Sequence, residues 1–179
     1  MKNMPLPASP WIQRFSHLVP EGGTVLDVAC GQGRHVHWFT QRGHSCLGID
    51  RSEQALAALP ASAQRLCADI EQGAWPLPGA QFDAVVVTNY LWRALLPTLV
   101  ASVAPGGVLL YETFADGNAL FGKPSRPDFL LQPGELLRAC GDQLRVVAYE
   151  HGLLDDPARC VQRIAAVRNV PGSETLAAI

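Results

Sequence analysis

Strand-like and helix-like segments alternate from Val25 to Phe114, and this alternation constrains the fold more than any other feature of the chain. "TVLDVA" reads as a strand and "GRHVHWFTQRG" as a helix ending at Gly43. "SCLGID" is a second strand, followed by the helix "SEQALAAL" with Ser52 as its N-cap. "AQRLCAD" is a third strand, and "FDAVVVTN" a fourth whose unbroken apolar run is that of a strand buried on both faces. "RALLPTLVASVA" is a helix with Pro97 in or near its first turn, Pro105-Gly106-Gly107 a turn, and "VLLYETF" a fifth strand. Such repetition builds βαβ units, and hence a parallel sheet covered on both faces.

The flanks are less regular. The Pro-rich start is extended to Pro10, and "WIQRFSHLV" then spaces Trp11, Ile12, Phe15, Leu18 and Val19 helically. Ala115–Pro133 breaks the alternation. A loop of this length is usually functional or disordered, and its Gly117 and Gly122 suit a lid with hinges. A helix at Glu135–Cys140 follows, then strands near Leu144–Glu150 and Cys160–Val167, and a frayed tail over the last dozen residues. The length fits a single domain over 1–179, with 1–23 as an N-terminal extension and helix.

Composition excludes several functions. Hydrophobic residues make up 48% and charged residues 17%, which is globular, and a net charge of -2 offers no basic footprint for nucleic acid. Cys30, Cys46, Cys67, Cys140 and Cys160 are odd in number and lack CxxC spacing, so neither a disulfide framework nor a metal site is expected. The start shows no signal peptide and no apolar stretch reaches a membrane span, so the expected setting is cytoplasmic.

In an open parallel sheet, ligands bind at the carboxyl ends of the strands where the winding reverses. Gly31 and Gly33 follow the first strand, where glycine lets a ligand approach closely. Asp50 ends the second strand at the offset of about 20 residues at which an acid takes ribose hydroxyls. A nicotinamide dinucleotide site looks similar, but Val36 stands where its fingerprint has a third glycine. Asp69 ends the third strand, suited to an adenine amino group or to capping a turn.

Taken in order, "VLDVACGQGRH", "GID", "CADIE", "WPLPGAQFDAVVVTN" and "APGGVLLYE" resemble the motifs of the class I S-adenosylmethionine-dependent methyltransferase superfamily. The resemblance runs in register from Val25 to Glu112 and more loosely to Val167. It implies an α/β, Rossmann-like, seven-stranded and mostly parallel sheet with helices on both faces and the last strand antiparallel. It also implies S-adenosyl-L-methionine as cofactor. Asp27 and the backbone of Ala29, Gly31 and Gly33 would hold the methionine moiety. Asp50 would hold the ribose, with Arg51 flanking the adenine. Asp69 and Ile70 would bind the adenine, and Asn89 would offer its backbone carbonyl. Cys30 is read as a small buried thiol.

The short layout resembles the small-molecule branch, which includes tellurite-resistance-type methyltransferases, and "FLLQPGELLRACG" is similar to a helix those proteins carry. A small-molecule acceptor and no nucleic acid are therefore expected. The alternatives are a non-catalytic cofactor-binding protein and a nicotinamide-dependent oxidoreductase. Tyr90, Arg93, Glu112 and His151 are candidate catalytic residues from strand ends, with Phe114 and Glu150 nearby. Tyr90, Trp92, Arg93, Lys123 and Arg126 are candidates for holding substrate, the three cations pointing to an anionic acceptor. His35 and Trp11 are read as structural.

Overall fold

A computed structural model describes residues 6–172, so part of the expected C-terminal tail lies outside the described residues. Its seven strands are β1 (Thr24–Val28), β2 (Ser45–Asp50), β3 (Gln64–Cys67), β4 (Phe82–Thr88), β5 (Val103–Phe114), β6 (Arg145–Asp155) and β7 (Ala158–Val167). They form one sheet in the order β3-β2-β1-β4-β5-β7-β6. β3-β2, β2-β1, β1-β4 and β4-β5 pair in parallel. β7 runs antiparallel to both neighbours, so the last strand is the reversed one, as expected.

Among the described residues, five short helices cover the two faces: α1 (Pro10–Phe15), α2 (Arg34–Thr40), α3 (Glu53–Leu56), α4 (Leu96–Ala101) and α5 (Glu135–Cys140). Alternate side chains of a strand point to opposite faces, and the buried residues divide accordingly. Val25, Ala84, Val86 and Leu110 pack with Trp11, Phe15, Val36 and Phe39 of α1 and α2. Leu26, Val28, Val85 and Val87 pack with Leu99, Val100 and Leu136 of α4 and α5. Trp11 is 1% exposed and its indole N–H donates to the Ile164 carbonyl, so it is core. Ser9 caps α1 and Ser52 caps α3 through their hydroxyls.

Three expectations need correcting. Pro105-Gly106-Gly107 is not a turn between elements but an insertion within β5, where the register jumps from Phe82–Val103 to Ala84–Val108. The Gly106 amide donates to the Arg168 carbonyl, and the Arg168 amide to that of Gly107, so pairing continues past the bulge. The first helix is shorter, giving way at Ser16–Leu18 to a tighter turn. β6 does not end at Glu150 and His151 but continues to Asp155, which leaves both residues in mid-strand on the outer edge of the sheet.

The segment from Ala115 to Pro133 is stitched at its base. The Asp116 amide donates to the Leu131 carbonyl, and the Leu131 amide to that of Phe114. Asn118, 1% exposed, donates to the Pro124 carbonyl and accepts from the Cys160 amide. Among the described residues no helix is long and apolar enough to cross a membrane.

Candidate active site

The winding reverses between β1 and β4. β2 and β3 lie to one side of this pair, and the remaining strands to the other. Just beyond the two strands sit Ala29 and Asn89, each with φ of +53°, the two non-glycine residues in left-handed backbone among those described. Asparagine tolerates this region, but alanine is strained there, and such strain concentrates at functional sites.

Three adjoining cavities open at this point. The first, about 270 Å³, is lined by Ala29, Asp50, Arg51, Asp69, Ile70, Glu71, Tyr90 and Phe129. The second, about 350 Å³, lies over the glycine loop and is lined by Ala29, Gly31, Gln32, Arg34, Thr88 and Asn89, with Leu6 at its rim. The third, about 290 Å³, is bounded by Glu71, Asn89, Tyr90, Thr113, Phe114, Pro124 and Phe129. Shared walls at Ala29, Asn89, Tyr90 and Phe129 make them one branched cleft of the size small ligands occupy.

The two loop glycines have different reasons to be there. Gly31 has φ of +55° and nothing within 4 Å of where a Cβ would stand, so its backbone faces open space. Gly33 has φ of +74°, and a Cβ there would meet Leu59 Cδ1 at 2.9 Å. Cys30 packs under the loop, 8% exposed, and burial pushes its thiol well above the usual range.

Beneath the loop lies a buried polar knot. Asp27, 1% exposed, is covered by the loop rather than lining a cavity, and its Oδ2 has no hydrogen-bond partner. Burial raises its pKa to about 8; Asp50 adds to the rise, while Arg34 and the Val36 amide oppose it. His35 Nδ1 is 3.9 Å from Asp27 Oδ2, and its Nε2 accepts from the Ser9 amide at 3.2 Å. Burial first, then Arg34, lowers the His35 pKa to about 3, so this ring is neutral at pH 7 and structural. Arg34 makes a long hydrogen bond to Thr88 Oγ1 (3.5 Å) and presents its guanidinium to the second cavity.

The acids ending β2 and β3 face the first cavity, and each is also fixed by backbone. Asp50 accepts from the Gly31 amide (2.8 Å) and the Ser52 amide (2.9 Å), which ties the glycine loop to β2. Asp69 Oδ1 accepts from the amides of Glu71 and Gln72, so it caps a turn, while the residue also lines the cavity. Of the two roles weighed for Asp69 from sequence, the turn cap is present. Tyr90 stands between the first and third cavities, and burial, then neighbouring Glu71, push its phenol up.

Several candidates are placed elsewhere. Arg93 donates to both Glu135 oxygens (2.7 and 3.0 Å) and to the carbonyls of Asp128 and Leu130, so it clamps the loop before α5 and lines none of the three cavities. Arg126 is paired on the surface with Asp128 at 2.7 Å. Lys123 and Trp92 are exposed and outside the cavity walls. Glu112 is buried, accepting from Ser9 Oγ (2.8 Å) and Arg163 (3.2 Å). Glu150 and His151 flank a separate depression on the β6 edge. No guanidinium expected to grip an anionic acceptor therefore reaches the third cavity.

Sequence reasoning missed Arg34, Thr88, Thr113, Glu71 and Phe129. Arg34 and Thr88 were within reach of it, since they adjoin the glycine loop and end β4. Phe129 enters from a loop whose path no local pattern reveals.

Residues 25–107 match the family model described as a methyltransferase domain. The chain is 31% identical over 151 residues to trans-aconitate 2-methyltransferase of Delftia acidovorans, covering 74% of this chain and 55% of that protein. It is 32% identical over 122 residues to a tRNA U34 carboxymethyltransferase of Haemophilus influenzae, covering 60% and 38% respectively. The chain thus spans about half or less of the length of these curated relatives. In fold it is similar to TehB of Haemophilus influenzae, with a TM-score of 0.71 at 18% identity, over 94% of this chain and 64% of that one.

Proposed function

We propose, from the chain's membership of the class I S-adenosylmethionine-dependent methyltransferase superfamily, that it transfers a methyl group from S-adenosylmethionine to a small molecule. The observation that carries this reading is the branched cleft. Carboxylates stand at one end, a cation at the other, and an open glycine backbone between them.

The residues fit the cofactor. Asp50 uses its oxygens on two amides and keeps lone pairs for the two hydroxyls of a ribose. Asp69 and Ile70 border the space for an adenine. Arg34 suits the carboxylate of an amino-acid moiety, since guanidinium binds carboxylates bidentately. The Oδ2 of Asp27 has no partner in the protein, and an ammonium resting over the loop would favour the ionised form of a carboxyl that burial otherwise keeps protonated. The missing third glycine also favours this reading over a dinucleotide: Val36 is fully buried in the core.

When bound, the cofactor supplies an electrophilic methyl on a sulfonium sulfur. The chain's part is alignment: Asn89 and Tyr90 separate the cofactor arms of the cleft from the third cavity. Holding an acceptor there in line contributes about 7–11 kcal/mol where the geometry is good. Phe129 roofs two of the cavities, so we read 115–133 as a lid that keeps water out. Five free cysteines accord with a cytoplasmic protein.

Thermal unfolding tests the reading. S-adenosylhomocysteine at a hundredfold excess over its Kd stabilises the protein by about 2.7 kcal/mol, and a nicotinamide dinucleotide leaves it unchanged. The reverse result would mean an oxidoreductase. Stabilisation without methyl transfer to any acceptor, small molecule or tRNA, would mean a protein that binds the cofactor only.

A further inference from the structure

We propose that the third cavity takes a basic amine carrying an apolar body, and not a carboxylate; this rests on the methyltransferase reading above. The cavity is bounded by the rings of Tyr90, Phe114 and Phe129, and by one carboxylate, Glu71. No lysine or arginine is among its walls. The charged groups that act on the Tyr90 hydroxyl are Glu71, Asp69 and Arg51, two anions against one cation. Arg51 belongs to the neighbouring cavity.

Two cations near the cavity mouth are already engaged. Arg93 spends its donors on Glu135 and two carbonyls. Arg126 pairs with Asp128, with its guanidinium 5.4 Å from the Phe129 ring centroid. An incoming carboxylate would meet Glu71 and aromatic faces, and both repel negative charge. An ammonium group is attracted by both, since ring faces bind cations and a carboxylate pairs with them.

The same arrangement suits the chemistry of nitrogen. The acceptor loses a proton to solvent and reacts as the free amine. Its lone pair forms the new N–C bond as the C–S bond breaks, and that bond's electron pair stays on sulfur. The positive charge moves from sulfur to nitrogen, toward Glu71. A carboxylate in the cavity wall, even an exposed one, favours positive charge as it develops. For a carboxylate acceptor the positive charge is neutralised instead, and Glu71 has no such charge to stabilise.

Two probes with the same ring and opposite charge decide the matter: phenethylamine and phenylacetate, titrated into protein saturated with S-adenosylhomocysteine. Phenethylamine is expected to raise the melting temperature and phenylacetate to leave it unchanged. Glu71→Gln is expected to weaken the amine about tenfold in variant protein kept saturated with S-adenosylhomocysteine, at an excess set by the variant's own Kd. Tritium from methyl-labelled S-adenosylmethionine is expected in phenethylamine alone. Phenylacetate binding as tightly as the amine, no shift with the amine, or equal amine affinity in Glu71→Gln would overturn the proposal. Failure of S-adenosylhomocysteine itself to stabilise the wild-type protein would instead overturn the reading on which it rests.

Discussion

Gly33 and Asp27 show how much one residue can carry in this loop. Alanine at 33 would have to hold φ of +74° with its Cβ 2.9 Å from Leu59. Gly33→Ala should therefore cost about 1–3 kcal/mol in urea unfolding. Only the steric part should couple to Leu59→Ala in a double-mutant cycle; no coupling would locate the whole cost in the backbone. Asp27 makes a pH prediction. Its carboxyl titrates near 3.8 when unfolded and at about 8 when buried, the dominant cause being burial itself. Between those values the native state holds a proton that the unfolded chain has lost, so stability falls as pH rises through the window. Asp27→Asn cannot lose that proton. Its melting temperature relative to wild type should climb from pH 5 to pH 8, and a constant difference would refute the assignment. His35, with a pKa of about 3 when folded and 6.5 when unfolded, adds stability as pH rises toward 6.5, but it does so in wild type and variant alike and cancels in the difference.

At the level of elements, the parallel core was legible and its edges were not. β2 spans the residues its alternation indicated, and Ser52 caps α3 as read. Pro105-Gly106-Gly107 misled because its residues favour turns locally. A Cβ on Gly107 would lie 2.9 Å from the carbonyls of Phe82 and Asp83, a long-range requirement that no window of sequence contains. Arg93 misled in the same way. It follows the fourth strand as a substrate residue might, yet its partners lie 35 to 42 positions away. Burial alone would raise the Glu135 pKa, but Arg93 and the Gln132 amide hold it below its usual range. Arg93→Met should leave S-adenosylhomocysteine binding intact and make the 115–133 segment more open to limited proteolysis. The expected loss of acceptor kcat/KM is about tenfold, from a loop no longer held in place. Unchanged proteolysis would show that the clamp does not order the loop.

For the molecule as a whole, net charge and the placement of cations bear on its partners. With a net charge of -2, and with Arg93, Arg126 and Arg163 each paired to a carboxylate, the chain carries no excess of basic charge. Micromolar protein should accordingly leave the mobility of tRNA unchanged at 50 mM salt. A salt-sensitive shift would point instead to an acceptor like that of the tRNA-modifying relative. The sequence by itself determined the parallel sheet and the strand ends that border the cleft, because strand period, glycine placement and terminal acids are all local properties; the cofactor class came from the resemblance its ordered motifs carry. Only the tertiary structure decided which side chains meet across the cleft. It took Arg93, Arg126, Glu112 and His151 out of the cavities and brought Arg34, Glu71 and Phe129 in. The third cavity is assembled from the segment after β4, the end of β5 and two loops far apart in the chain, and contacts over such separations are set by packing rather than by any local pattern.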